Sequence, residues 1–231
     1  MKYGGLSLTG SYHAYNQDNY AARKVAGGYV LAVSDGLGSK KYSKAGSAAL
    51  CAAACDAADA ISCNVTDASE YIRVVHALWI ATLSENHLEP DVCRATALIG
   101  IIGKKKLWLF RLGDGFIGAV FDDDVLVLFD DKKDRFANET ECLGGEPDVE
   151  NWAVQHAAFA SFRGIVAGTD GLALANDETR LKKFTADFCA NYERMNISTT
   201  LADIGRWLPK CKGIDDRTVA FVMQDERKEV P

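Results

Sequence analysis

The sequence has little proline and no long apolar run. Its 231 residues include 4 prolines, and its 20 glycines are scattered, so no linker, repeat or low-complexity tract is indicated. We therefore expect one domain that spans residues 1–231. The chain has no run of about 18 apolar residues, and its N-terminal residues lack the apolar core of a signal peptide. It is expected in the cytoplasm, with no membrane association.

An excess of positive charge is also lacking. The chain has 26 Lys and Arg residues against 32 Asp and Glu residues, which gives a formal net charge of -6. A general electrostatic attraction to nucleic acid or to an anionic membrane is therefore excluded. The 7 cysteines include no C-x-x-C pair and lie mostly in apolar stretches, a pattern typical of buried thiols in a reducing compartment.

The first part of the chain predicts strands followed by paired helices. Strands are expected at 3–10, 20–25 and 28–34, and the last two are joined by a hairpin at Ala26-Gly27. An alanine-rich stretch predicts a helix from Ser43 to about Ser62. Asp67 and Glu70 have the spacing of a capping box, so a second helix is expected from there until Pro90.

The second part repeats this order of strands and helices. Four apolar runs between residues 96 and 130 are separated by turns too short for crossover helices, which predicts an antiparallel meander. Two further strands (152–159 and 162–168), two amphipathic helices and a final strand (217–223) follow. The predicted fold class is α+β, a four-layer α-β-β-α sandwich in which paired antiparallel helices flank two antiparallel sheets.

Aspartates stand at the ends of strongly apolar strands. They are Asp18, Asp35, Asp114, Asp170 and Asp215. Carboxylates that converge on one cleft repel each other unless cations neutralise them, and oxygen ligands select Mg²⁺ or Mn²⁺ over zinc. The glycines after Asp35 and Asp170 permit tight turns. Each Asp-Gly pair taken alone favours an ordinary turn, whereas their recurrence at strand ends favours a metal site.

These aspartates belong to short motifs that follow one another along the chain. The motifs are Asn16-Gln17-Asp18, Val33-Ser34-Asp35-Gly36-Leu37-Gly38, Thr96-Ala97, Leu112-Gly113-Asp114, Ala167-Gly168-Thr169-Asp170-Gly171-Leu172 and Asp215-Asp216-Arg217-Thr218-Val219. In order and spacing they resemble the metal-dependent protein phosphatases of the 2C type, from about Gly10 to Met223. The segment 136–140 is similar to a divergent bacterial branch of that family.

The resemblance implies a signalling hydrolase that removes phosphate from phosphoserine and phosphothreonine and opposes a serine/threonine kinase. Its cofactors would be two Mg²⁺ or Mn²⁺ ions that activate a water molecule. Asp35 would contact both ions, and the Gly36 carbonyl would bind one of them. Asp170 and Asp215 would bind the other ion. Asp18 would hold a metal directly or through water, and Asp114 would help to bind a third, looser ion.

The chain departs from the family pattern at several positions. Gln17 replaces a glutamate, which predicts lower metal affinity. His13 stands where many members have an arginine that grips the phosphate, so it is a candidate catalytic and substrate-binding residue, the alternative being a loop histidine without a role. Leu37 replaces the histidine thought to protonate the leaving group in eukaryotic relatives. Asp216 replaces asparagine and would assist the metal or pair with Arg217.

Two other interpretations remain open. A catalytically weak or silent relative would bind phosphoproteins or regulate a signalling partner, although retention of every carboxylate argues for activity. An unrelated α+β domain would require the ordered motifs to be coincidental. Lys104, Lys105 and Lys106 are interpreted as a solvated turn.

Overall fold

Two five-stranded antiparallel sheets form the centre of the computed structural model, which describes residues 1–131, 141–174 and 176–225. The strands are β1 (Lys2–Leu8), β2 (Asn19–Val25), β3 (Gly28–Ser34), β4 (Ala97–Ile102), β5 (Lys106–Leu112), β6 (Phe116–Phe121), β7 (Val125–Phe129), β8 (Ala153–Ala158), β9 (Phe162–Gly168) and β10 (Arg217–Met223). The helices are α1 (Ser43–Ala60), α2 (Ala68–Glu85), α3 (Glu178–Tyr192) and α4 (Ile197–Trp207). Within these ranges, no helix is both long and apolar enough to cross a membrane.

The strand order explains how the layers form. One sheet has the order β1-β10-β9-β6-β7, and the other has the order β2-β3-β4-β5-β8. Helices α1 and α2 pack together on the second sheet, while α3 lies against β6, β7 and β9 and α4 lies against β1. The predicted α+β sandwich of two antiparallel sheets between helices is confirmed.

The core has three apolar layers, and β3 shows why. Val30 and Ala32 face α1 and α2, whereas Leu31 and Val33 face the opposite sheet, and all four are fully buried. Because side chains alternate along a strand, a strand covered on both faces needs apolar residues at every position. This explains the uninterrupted apolar run that precedes Asp35.

The predicted meander is wrong. β4 pairs with β5 and β6 pairs with β7, but β5 and β6 belong to different sheets. The chain crosses the sandwich at Gly113-Asp114-Gly115, where the two glycines have φ angles of 88° and 85°. Few residues other than glycine adopt such angles, so this turn redirects the chain instead of forming a hairpin. Both strands are buried on both faces, and apolar pattern alone does not assign them to a sheet.

Helix α2 begins as predicted and ends earlier. The Asp67 side chain accepts hydrogen bonds from the backbone N–H groups of Ser69 (2.8 Å) and Glu70 (3.2 Å). The helix stops at Glu85 rather than near Pro90, since His87 adopts a φ of 56° that ends the helical path.

The crossing turn gives a stability prediction. Gly113→Ala is expected to destabilise the chain by about 2 kcal/mol, because a side chain is strained at this φ. The added Cβ would also lie 2.4 Å from the Glu141 carbonyl oxygen. Gly145→Ala is the matched control, since its Cβ meets nothing within 4 Å. Thermal unfolding of both variants measures the difference, and equal melting temperatures would contradict the prediction.

Candidate metal centre

The sequence-predicted aspartates gather at one end of the sandwich. Asp18 directly precedes β2 and Asp35 directly follows β3, and the register pairs Asn19 with Ser34, so the two aspartates are neighbours. In the other sheet, Asp170 follows β9, while Asp215 lies just before β10, the strand that pairs with β9. Antiparallel pairing therefore brings residues far apart in the sequence to the same sheet edge.

The pKa of the Asp35 carboxyl group is strongly perturbed. Burial raises its pKa well above the ordinary value, and the negative charges of Asp18 and Asp170 raise it further. The charge of Asp215 acts in the same direction. Asp35 therefore lies within electrostatic reach of all three other aspartates, in a cleft that disfavours its ionised form unless a cation is present.

The Asp18 carboxylate is held by hydrogen bonds to only one of its two oxygen atoms. Its Oδ2 atom accepts hydrogen bonds from the hydroxyl groups of Thr169 (2.9 Å) and Thr218 (2.7 Å). Burial raises the pKa of Asp18 to about 6. Its Oδ1 atom is buried and accepts no hydrogen bond from an N–H or hydroxyl group of the described residues, and the same is true of Gln17 Oε1. The Asp35 carboxyl group donates to Asp18 only when Asp35 is protonated. Buried acceptors without a donor are uncommon and are typical of a site that binds a cation.

The loop that carries Asp35 is fixed by the loop before β4. The Asp35 N–H donates to Thr96 Oγ1 (2.9 Å), and the Thr96 N–H donates to the Asp35 carbonyl oxygen (2.8 Å). Gly36 is buried and forms a β-bridge with Ala95. These contacts explain why the motif at Thr96 accompanies the motif at Asp35.

Asp170 and Asp215 lie on the open side of the cleft. Asp170 is exposed, and the Asp215 side chain is 41% exposed. Their loops touch at Gly171, where an added Cβ would lie 1.8 Å from the Asp216 carbonyl oxygen. Glycine is required at this position because any side chain would push the two loops apart.

Asp216 organises the loop formed by residues 10–17. Its Oδ1 accepts from the Gly10 N–H (2.8 Å), and its Oδ2 accepts from the Gln17 N–H (2.6 Å). Pairing with Arg217, one of the two roles expected for Asp216, is not observed, since Arg217 donates to the Gly213 carbonyl oxygen. The buried Asp216 carboxylate instead anchors the segment that leads to Asp18.

His13 is connected to the same carboxylates. Its Nδ1 atom lies 3.1 Å from Asp216 Oδ2 and 3.1 Å from Asp215 Oδ1. Since an ionised carboxylate only accepts hydrogen bonds, Nδ1 carries the proton in this arrangement. The Nε2 atom is directed towards Gly38, whose added Cβ would lie 3.1 Å from it. His13 therefore belongs to the edge of the cleft.

Asp114 adjoins the aspartate cluster from the crossing turn. It lines a cavity of about 200 Å³ together with Asp170 and Thr169. Asp130 and Asn176 also line this cavity. Neither residue belongs to a recognisable motif, so the sequence analysis did not identify them. The segment 136–140, which carries the resemblance to the bacterial branch, lies outside the described residues.

The donor set at this end of the sandwich fits hard divalent cations. It consists of oxygen atoms, it includes the Asp18 Oδ1 atom, and its negative charges lie close together around the partly buried Asp35. Bringing these charges together without a counter-charge costs free energy, which a bound Mg²⁺ or Mn²⁺ would offset.

Comparison with known protein families gives one match. The family model described as Protein phosphatase 2C matches residues 11–208. No curated protein matches the chain.

Several solved structures share the fold. A bacterial serine phosphatase superposes with a TM-score of 0.71 at 13% identity, covering 100% of both chains. The serine/threonine phosphatase Stp1 from Staphylococcus aureus gives a TM-score of 0.70 at 12% identity, covering 96% of this chain and 94% of that one. The catalytic domain of the serine threonine protein phosphatase PstP, in complex with 2 manganese ions, gives 0.67 at 18% identity, covering 95% of this chain and 96% of that one.

Proposed function

Because the chain belongs to the protein phosphatase 2C family, we propose that it is a metal-dependent phosphatase that hydrolyses phosphoserine and phosphothreonine in proteins. It would reverse the phosphorylation catalysed by a serine/threonine kinase. The observation that carries the proposal is the convergence of Asp18, Asp170 and Asp215 on the partly buried Asp35. A turn aspartate without a function would be solvated and separate from the others.

The aspartates have distinct proposed roles. Asp35 would contact two divalent ions, with the Gly36 carbonyl on one of them. Asp170 and Asp215 would hold the second ion. Asp18 would bind one of the ions directly or through a water molecule. When bound, the ions would supply an activated water nucleophile and offset the charge on the phosphoryl group.

The surrounding residues would position these ligands. The hydroxyl groups of Thr169 and Thr218 fix the Asp18 carboxylate, so that its Oδ1 is free to serve as a ligand. Asp216 holds the 10–17 loop through Gly10 and Gln17, and His13 in this loop would contact the bound phosphate. Asp114 is proposed to contribute to a third, looser ion.

A phosphatase assay tests the proposal. Purified protein is incubated with para-nitrophenyl phosphate or a phosphothreonine peptide, with millimolar Mn²⁺ and then with excess chelator. We expect turnover that requires Mn²⁺ and stops on chelation. A thermal melt run in parallel should show stabilisation by Mn²⁺, which amounts to about 2.7 kcal/mol when the ion is at 100 times its Kd.

The combined result also separates the second candidate function. Stabilisation by Mn²⁺ without any hydrolysis would favour the catalytically silent regulator that binds phosphoproteins. If Mn²⁺ neither stabilises the protein nor supports hydrolysis, the aspartate cluster is not a metal centre.

His13 gives a prediction for substrate binding. His13→Ala is expected to raise KM for a phosphopeptide about tenfold, because one phosphate contact of about 1.4 kcal/mol is lost. The stabilisation by Mn²⁺ should change little, and His13→Arg should restore KM, since arginine grips phosphate in many family members. Unchanged kinetics in His13→Ala would show that the histidine has no role in substrate binding.

A further inference from the structure

Large apolar side chains are exposed around the mouth of the aspartate cleft. Among the described residues, Tyr12 and Ile214 are the most exposed large hydrophobic residues, at 73% and 64%, and Tyr15 and Tyr42 are exposed as well. Two lysines lie beside them. We call this surface the rim, defined by Tyr12, Tyr15, Lys41, Tyr42, Lys44 and Ile214.

The rim is continuous. The Tyr12 N–H donates to the Ile214 carbonyl oxygen (3.0 Å), and the Tyr12 ring lies 5.1 Å from the His13 ring. Lys44 Nζ lies 5.8 Å from the centre of the Tyr15 ring, which joins the start of α1 to the 10–17 loop. The rim therefore lies beside His13, on the side of the cleft formed by the 10–17 loop and the start of α1.

The rim carries positive charge on a chain whose formal net charge is -6. Lys41 Nζ lies 4.9 Å from the centre of the Tyr42 ring, and Lys41 and Lys44 are both exposed. The nearby carboxylate of Asp91 is paired with Arg94 at 2.8 Å, so it leaves these lysines available. These two lysines therefore offer positive charge to acidic side chains of a peptide that lies outside the cleft.

We infer that the rim binds the peptide that flanks the phosphorylated residue, and that it selects peptides with acidic and apolar side chains. This inference rests on the proposed phosphatase function. Tyrosines supply contact area at a low cost in conformational entropy, and they are enriched in recognition surfaces. The lysines add charge complementarity, which determines specificity more than affinity.

Two sets of phosphothreonine peptides test the inference, one flanked by glutamates and the other by glutamines. With Mn²⁺ present, wild-type protein is expected to show a kcat/KM about tenfold higher for the acidic peptides, as two exposed charge contacts would provide. The double variant Lys41→Glu, Lys44→Glu should lose this preference. The matched double variant Lys104→Glu, Lys105→Glu should retain it, because those lysines are exposed in the turn between β4 and β5, at the far end of β4 from Ala97 and the cleft. Equal preference in the two double variants would overturn the inference.

A binding measurement separates the rim from the chemistry. The unphosphorylated acidic peptide, labelled with a fluorophore, should bind wild-type protein about tenfold more tightly than the rim double variant by anisotropy. If wild-type protein binds this peptide but does not hydrolyse para-nitrophenyl phosphate, the proposed activity is contradicted, whereas peptide binding by the rim is supported. If the protein hydrolyses para-nitrophenyl phosphate but has the same kcat/KM for acidic and neutral peptides, the inference about the rim is wrong and the proposed activity is supported.

Discussion

Asp35→Asn is expected to lower phosphopeptide hydrolysis by about a thousandfold or more while the chain remains folded. Asp35 is the residue whose charge environment includes Asp18, Asp170 and Asp215, and it is proposed to contact both ions. An amide cannot supply the negative charge that holds two dications close together. Turnover of a phosphothreonine peptide in saturating Mn²⁺ measures the loss.

The same variant, although inactive, should be more stable than wild type in the absence of metal. Burial and three neighbouring negative charges raise the pKa of Asp35, so removing its charge should stabilise the metal-free chain by about 1 kcal/mol. This corresponds to a rise of about 2–4 °C in the melting temperature. Stabilisation by Mn²⁺ should then be lost.

The control for Asp35→Asn is Asp123→Asn, in the exposed turn between β6 and β7. It should match wild type in activity, in metal-free stability and in its response to Mn²⁺. A folded Asp35→Asn protein that retained most of its activity would contradict the two-metal mechanism.

Asp216→Ala is expected to destabilise the chain by about 3 kcal/mol. The variant leaves the N–H groups of Gly10 and Gln17 without their acceptor, and His13 Nδ1 loses one of its two carboxylate contacts. The adjacent Asp215→Ala is the comparison, since its side chain is 41% exposed and its loss should cost much less in the absence of metal.

Urea unfolding of the two metal-free variants measures this difference. Asp216→Asn should fall between Asp216→Ala and wild type, because its amide oxygen can still accept one backbone hydrogen bond. Equal stabilities for Asp215→Ala and Asp216→Ala would show that Asp216 does not anchor the 10–17 loop.

The sequence predicted those parts of the fold that depend on local pattern. β3 and β10 have the predicted bounds because each strand is a continuous apolar run ended by polar residues. The α1 prediction was close because its alanines suit both helix formation and close packing on a sheet. The path from β5 to β6 was mispredicted because sheet membership depends on the backbone angles of Gly113 and Gly115.

The candidate site shows a similar division. Aspartates at strand ends were recognisable from the sequence, and the register of β2 with β3 brings Asp18 and Asp35 together. The hydroxyl contacts of Asp18 join residues separated by 151 and 200 positions, and nothing local in the sequence indicates such pairs. The anchoring role of Asp216 depends equally on distant partners.

The central claim, that the aspartate cluster binds two divalent ions, can be tested by one diffraction experiment. Crystals of the wild-type protein grown with Mn²⁺ are measured above and below the manganese absorption edge, and the anomalous difference map locates the ions. We expect two peaks within about 2.5 Å of carboxylate oxygens of Asp35, Asp170 and Asp215, with Asp35 contacting both ions and Asp18 binding one of them directly or through water. A map in which these carboxylates contact no manganese, at a concentration that supports hydrolysis, would contradict the claim.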